Sequence, residues 1–200
     1  MAEACGILQA SEDVTRMRHD SKSLCVISCN ICDMKLVMDS DVLIKIAKAS
    51  IKEVICSKFA VYVPSEVKAE AVDEGKVRGH TDALIIEENI LRRKLSVEEA
   101  KESQTTERLI TQLNLRGGEA GSLRLFKEGG YGAIASDDSK FVDLLEGLGI
   151  PFMTPGALLI RLLRHKQISE SETLECLDKI RQFVSSEEYL ASIEAVRREA

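Results

Sequence analysis

From residue 34 onward, short apolar runs alternate with stretches whose apolar residues recur at helical spacing. KLVMD (35–39) is a run of buried-strand length, and residues 41–57 continue at helical period with a break near Ser50. FAVYV (59–63) predicts a second strand, and Pro64 suits the first turn of the helix SEVKAEAV (65–72). A loop over Gly75–Gly79 then precedes TDALIIEENILRR (81–93), whose apolar positions share one helical face. KLSVE (94–98) predicts a short strand, 105–113 a helix, Gly117-Gly118 a turn, and EAGSLRLFKE (119–128) another helix. YGAIAS (131–136) is the clearest later strand, and DSKFVDLLEGLG (138–149) is a helix ended by its glycines. PFMT (151–154) closes the strand series, before GALLIRLLRHK (156–166), which is apolar enough to be mostly buried.

Two helices follow, each opening with capping-box spacing: Ser169 three residues before Glu172, and Ser185 three before Glu188. Alternating strands and helices predict an α/β fold with a central parallel sheet and helices on both faces. Residues 1–33 show neither period. They read as an N-terminal extension or a mis-assigned start, with the domain spanning 34–200: a core over 34–166 and a helical pair over 167–200.

Composition adds limits rather than a function. The 200 residues are 44% hydrophobic and 30% charged, enough for one well-packed domain. No apolar run has transmembrane length and no signal-peptide core is present, so a cytoplasmic protein with reduced thiols is expected, without membrane contact. The net charge of −6 argues against holding nucleic acid by bulk electrostatics, though not against an acidic site neutralised by cations. Basic residues cluster at Arg92-Arg93-Lys94 and at Arg161, Arg164, His165 and Lys166, which read as solvated helix ends.

The acids carry more. The strand LVMD stops at Asp39, and YGAIAS stops at Ser136, followed by Asp137 and Asp138. In a parallel sheet all strands end along one edge, where open α/β folds place their sites. Glu119 follows the glycine turn expected at that edge, and Glu70 lies one helical turn beyond Glu66 after the second strand. Such a cluster repels itself and raises its own pKa values unless divalent cations relieve it. Mg²⁺ and Mn²⁺ prefer oxygen ligands and keep several waters. A bound ion of this kind polarises a phosphodiester oxygen or acidifies an attacking water. His19, His80 and His165 form no constellation that would serve metal-free chemistry. Asp41, two residues past Asp39, reads as a cap for the next helix or as outer support for a metal-bound water.

Four segments in order, MKLVMDSDVLI, VPSEVKAE, GGEAGSLRL and AIASDDSKF, resemble the motifs of the PIN-domain nuclease family, which includes the VapC-type toxins. The closing segment GIPFMTPGALLIRLLRHKQI is similar to that family's last strand and helix, and the final helical pair to the tail of a prokaryotic subfamily. The resemblance implies a three-layer α/β/α fold with additional C-terminal helices. It implies Mg²⁺ or Mn²⁺ held by Asp39, Glu70, Glu119 and Asp138, with Ser40, Ser136 and Asp137 in support. The implied function is endoribonuclease action on RNA as the toxin of a type II toxin–antitoxin pair, with a protein antitoxin and a homodimer as partners. GALLIRLLRHK is a candidate dimer surface unless it is core. Asp41 departs from the family's usual Asn or Ser.

Two alternatives stay open. LVMDSDVLI also resembles the first motif of haloacid-dehalogenase-type phosphatases, with Asp39 as nucleophile and Asp41 as general acid, a reading that leaves Glu70 and Glu119 without roles. A PIN-like module that binds RNA or a partner without cutting is the other. In the extension, Cys25, Cys29 and Cys32 are spaced like the cluster motif of radical SAM enzymes, but a PIN-like strand follows where a large barrel is needed. A zinc site completed by Cys5 would have unusually long spacing.

Overall fold

The computed structural model describes residues 34–101 and 103–199, so the extension and its cysteines lie outside the described residues. Five parallel strands form one sheet in the order β3-β2-β1-β4-β5: β1 Lys35–Met38, β2 Ala60–Pro64, β3 Ser96–Glu98, β4 Ala133–Ala135 and β5 Phe152–Met153. Between β1 and β2 come α1 (Ser40–Lys48) and α2 (Lys52–Cys56), separated where Ser50 takes φ 57°. After β2 the chain runs through α3 (Ser65–Lys68), a π-helical turn (Ala69–Glu74) and α4 (Gly75–Val77), then α5 (Thr81–Leu91). The second half supplies α6 (Gln104–Gln112), α7 (Gly117–Glu128), α8 (Ser139–Gly147), α9 (Pro155–Arg164), α10 (Glu170–Ile180) and α11 (Ser186–Glu199).

Strand alternation sorts the core into two layers. Leu36 and Met38 of β1, with Ala133 and Ala135 of β4, pack on a cluster built from α1, α2, the π turn, α5 and the C-terminal helices. Val37 and Ile134 point the other way, into a cluster with Leu123, Leu125, Phe141 and Leu145 of α7 and α8. The result is the expected α/β/α sandwich.

Several local expectations are corrected. Pro64 ends β2 and caps α3 with its backbone rather than sitting inside the helix. The expected loop at Gly75 is helical through Val77, because a missing Cβ lets this turn approach Ala83, whose own Cβ would be 2.9 Å from one on Gly75. GALLIRLLRHK is core: Leu158, Leu159, Ile160 and Leu162 are buried beneath α10 and α11, so this stretch offers no dimer surface. Arg161 is buried with them and is not a solvated helix end, whereas Arg164 pairs with Glu199 at 2.6 Å. The capping box at Ser169 and Glu172 is complete. That at Ser185 is half made: the Glu188 N–H donates to the Ser185 hydroxyl, but the Glu188 side chain goes to the Gly156 N–H instead.

Candidate active site

The sheet delivers two site residues side by side. Beyond β1, the Asp39 N–H donates to Ala135 O at 3.0 Å, and beyond β4 the Ser136 N–H donates to Met153 O at 3.1 Å. Both residues therefore emerge at the same carboxyl edge. The Ser136 hydroxyl donates to Asp39 Oδ2 at 3.2 Å, and the Ser40 N–H to Asp39 Oδ1 at 2.8 Å. Asp39 is only 4% exposed, and burial pushes its carboxyl up to about 6. The hydrogen bonds from Ser40 and Ser136 oppose that rise, while the charges of Asp41 and Glu70 add to it.

The other acids arrive from separate elements. Glu70 comes from the π turn, and its Oε1 accepts from the Gly118 N–H at 2.8 Å. Gly118 has no room for a side chain, since a Cβ there would lie 2.8 Å from Glu70 Oε2 and 2.9 Å from Asp39 Oδ1. The glycine pair at the start of α7 thus lets the helix end press directly on both carboxylates. Glu119 stands next along α7; burial raises its pKa, with further contributions from Asp138, Glu70 and Asp41 and an opposing one from Lys140. Asp138 caps α8, its Oδ1 accepting from the Phe141 N–H at 2.9 Å. Together Asp39, Ser40, Asp41, Glu70, Arg116, Gly118, Glu119 and Asp138 line an open cleft of about 250 Å³.

A family model described as a PIN domain matches residues 35–198. The chain belongs to the PIN-domain family. PIN domains are generally nucleases, so the fold is of a nuclease type and a hydrolase role follows from it, in place of the phosphatase alternative. No curated protein matched the chain.

Of the residues expected to act in this PIN domain, Asp39, Ser40, Glu70, Glu119 and Asp138 all meet at the cleft, and Ser136 lies buried against Asp39. Asp137 does not join them. Its Oδ2 pairs with Lys45 at 2.6 Å, its Oδ1 is buried without a hydrogen-bond partner, and it does not line the cleft. Asp41 is not the cap of α1; Asp39 fills that position, leaving Asp41 in the first turn and on the cleft wall. Glu66 is no free surface acid, because Arg124 binds it at 2.7 Å while also holding Glu107 at 2.6 Å. Sequence reading missed Arg116, the basic residue of the cleft lining, which stands directly before the glycine pair. It also missed Lys45, which stands on α1 six residues past Asp39 and directly after the segment MKLVMDSDVLI.

The donors available to a cation here are carboxylate and hydroxyl oxygens. Among the described residues, no three carboxylate, thiol or imidazole groups form a finished metal cage. A small hard dication that keeps several waters needs only one or two direct carboxylates, so the oxygen set still fits such an ion. PIN nucleases usually use divalent metals. A larger hollow of about 490 Å³, lined by Arg164, Lys166, Ser169 and Glu199 among others, lies at the opposite end of α9 from the turn that packs near this edge and contains none of these acids. Among the described residues, no helix is long and apolar enough to cross a membrane.

Proposed function

We propose that this PIN domain is a Mg²⁺- or Mn²⁺-dependent endoribonuclease and the toxin half of a type II toxin–antitoxin pair, acting in the cytoplasm. The observation carrying the reading is the convergence of Asp39, Glu70, Glu119 and Asp138, from four different elements, on one open cleft. Among the described residues none of these four is in an ion pair, whereas neighbouring Asp137 and Glu66 are. A fold that leaves its repelling acids without counterions is arranged for a cation from outside.

In this reading Asp39, Glu70, Glu119 and Asp138 hold the ion, and Ser136 and Ser40 keep the Asp39 carboxylate oriented through the two hydrogen bonds described above. When bound, the ion would polarise the scissile phosphodiester and lower the pKa of an attacking water. Arg116 at the cleft wall offers a guanidinium to a substrate phosphate, offsetting the acidity that would otherwise repel RNA. Asp41 extends the negative wall and suits a hydrogen bond to an ion-held water. The toxin role rests on the motif order shared with VapC-type members. An antitoxin for this cleft would bring an Arg or Lys to the carboxylates. A homodimer would use exposed Leu84 and Leu91, seven residues apart on α5, rather than α9.

Sequencing RNA ends after induction, with Asp39→Asn as the control, tests the reading. New, site-specific ends that vanish in the variant are expected. Equal end profiles for both proteins would overturn it, and ion binding without new ends would mark a non-cutting module.

A further inference from the structure

At Glu188 the sequence pattern and the position disagree. Capping-box spacing assigns its carboxylate to its own helix, yet it is buried at 6% exposure and reaches a different one. Its Oε1 accepts from the Gly156 N–H at 2.8 Å, in the first turn of α9. The fit is close: a Cβ on Gly156 would lie 2.2 Å from Ser192 Oγ and 3.1 Å from Glu188 Oε1. Two side chains of α11, one turn apart, therefore clamp the corner where β5 becomes α9. Thr154 occupies that corner and caps α9 through the Ala157 N–H.

The corner is bonded onward to the cleft. Met153, the residue before Thr154, accepts the Ser136 N–H at 3.1 Å, and the Ser136 hydroxyl donates to Asp39 at 3.2 Å. A second connection is electrostatic: burial raises the Glu188 carboxyl, hydrogen bonds from the Gly156 N–H and the Thr154 hydroxyl oppose that rise, Asp137 adds to it, and Lys45, paired with Asp137 at 2.6 Å, opposes it. The desolvation of this carboxylate is offset by the Gly156 N–H it accepts, an amide that would otherwise lie buried without an acceptor.

Resting on the nuclease reading above, we propose that Glu188 is a positioning residue for hydrolysis: by fixing the β5–α9 corner it holds Ser136 against Asp39, making the C-terminal helix part of the active site. Reach, rather than charge, is what this role demands. Glu188→Gln keeps an oxygen at the right distance for the Gly156 N–H, whereas Glu188→Asp keeps the charge but is one methylene too short. Val196→Ala, in the buried face of the same helix, controls for loss of stability alone.

The experiment measures kcat and KM for RNA cleavage by the full chain in Mg²⁺, together with amide hydrogen exchange at Ser136 in metal-free protein. Glu188→Asp is expected to lower kcat about 10-fold or more with KM little changed, while Glu188→Gln stays within about 3-fold of the parent. Ser136 exchange should quicken about 10-fold in Glu188→Asp and not in Val196→Ala. Unchanged Ser136 exchange in Glu188→Asp overturns the proposal whether or not the protein cuts RNA. So does a kcat loss in Glu188→Gln as large as in Glu188→Asp, or an equal loss in Val196→Ala. A parent protein that cuts no RNA sinks the nuclease reading instead, and leaves the exchange result to decide the corner's role.

Discussion

Asp39→Asn should make the metal-free protein more stable. Burial raises the Asp39 carboxyl from 3.8 to about 6, which corresponds to about 3 kcal/mol of differential stability between its protonated and ionised forms. The sign follows from the direction. As pH rises through 3.8 the unfolded chain ionises first, while the folded carboxyl holds its proton until about 6. The folded state therefore loses relative stability across that window, and above it carries the full penalty. Asparagine removes the charge and retains an oxygen for the Ser40 N–H, though its amide must re-pair with the Ser136 hydroxyl. That re-pairing reduces the net gain to about 2 kcal/mol near pH 7.5, or about 4–8 °C in melting temperature for a chain of this size. Urea unfolding in EDTA, parent against variant, from pH 3.5 to 8, measures it. The gap should close toward pH 3.5 and narrow again when Mg²⁺ is added at neutral pH. A variant no more stable than the parent at pH 7.5, or a gap independent of pH, would refute the claim that this carboxylate is held at a cost in stability.

Substitutions at three further positions probe separate supports of the cleft. Gly118→Ala should cost about 1–3 kcal/mol in urea unfolding, because its Cβ would crowd both Glu70 and Asp39, and wild-type stability would mean the contact is loose. Asp138→Asn should abolish cleavage while leaving the melting temperature nearly unchanged, since Asn caps α8 as well as Asp; Asp138→Ala should additionally lose about 1 kcal/mol, read from the same melts. Lys45→Met leaves Asp137, whose side chain is 7% exposed, without its cation, and should destabilise by about 2–4 kcal/mol by thermal denaturation. A Lys45→Met melt identical to the parent's would show that the buried pair contributes nothing.

Much of the cleft was legible because strand ends are legible. An apolar run that stops at Asp39, and another that stops at Ser136, place both residues at one edge once the strands are parallel neighbours. What the pattern does not contain is direction after the strand ends. Asp137 and Asp138 are adjacent and the same residue type, yet one turns to Lys45 and the other caps α8, a choice made by the neighbouring helices. The π turn carrying Glu70 is similarly invisible, because buried Ala71 and Val72 stand four and five residues past buried Val67, a pattern that an α-helical face accepts as well. Nothing in the local pattern pairs Glu66 with Arg124, which lies 58 residues further along the chain. Apolarity alone could not tell whether α9 faced a second chain or its own C-terminal helices; the two helices that cover it decided that. Glu188 shows the limit of a local motif: its spacing fits a capping box, and a tertiary partner took the side chain instead.

Cleavage of structured RNA by the purified full chain, run in Mg²⁺, in Mn²⁺ and in EDTA, tests the metal-dependent nuclease reading at its root. Cutting in either metal, abolished by EDTA, restored when the metal is returned and lost in Asp39→Asn, is the expected result. Undiminished cutting in EDTA, or an Asp39→Asn protein as active as the parent, would contradict it.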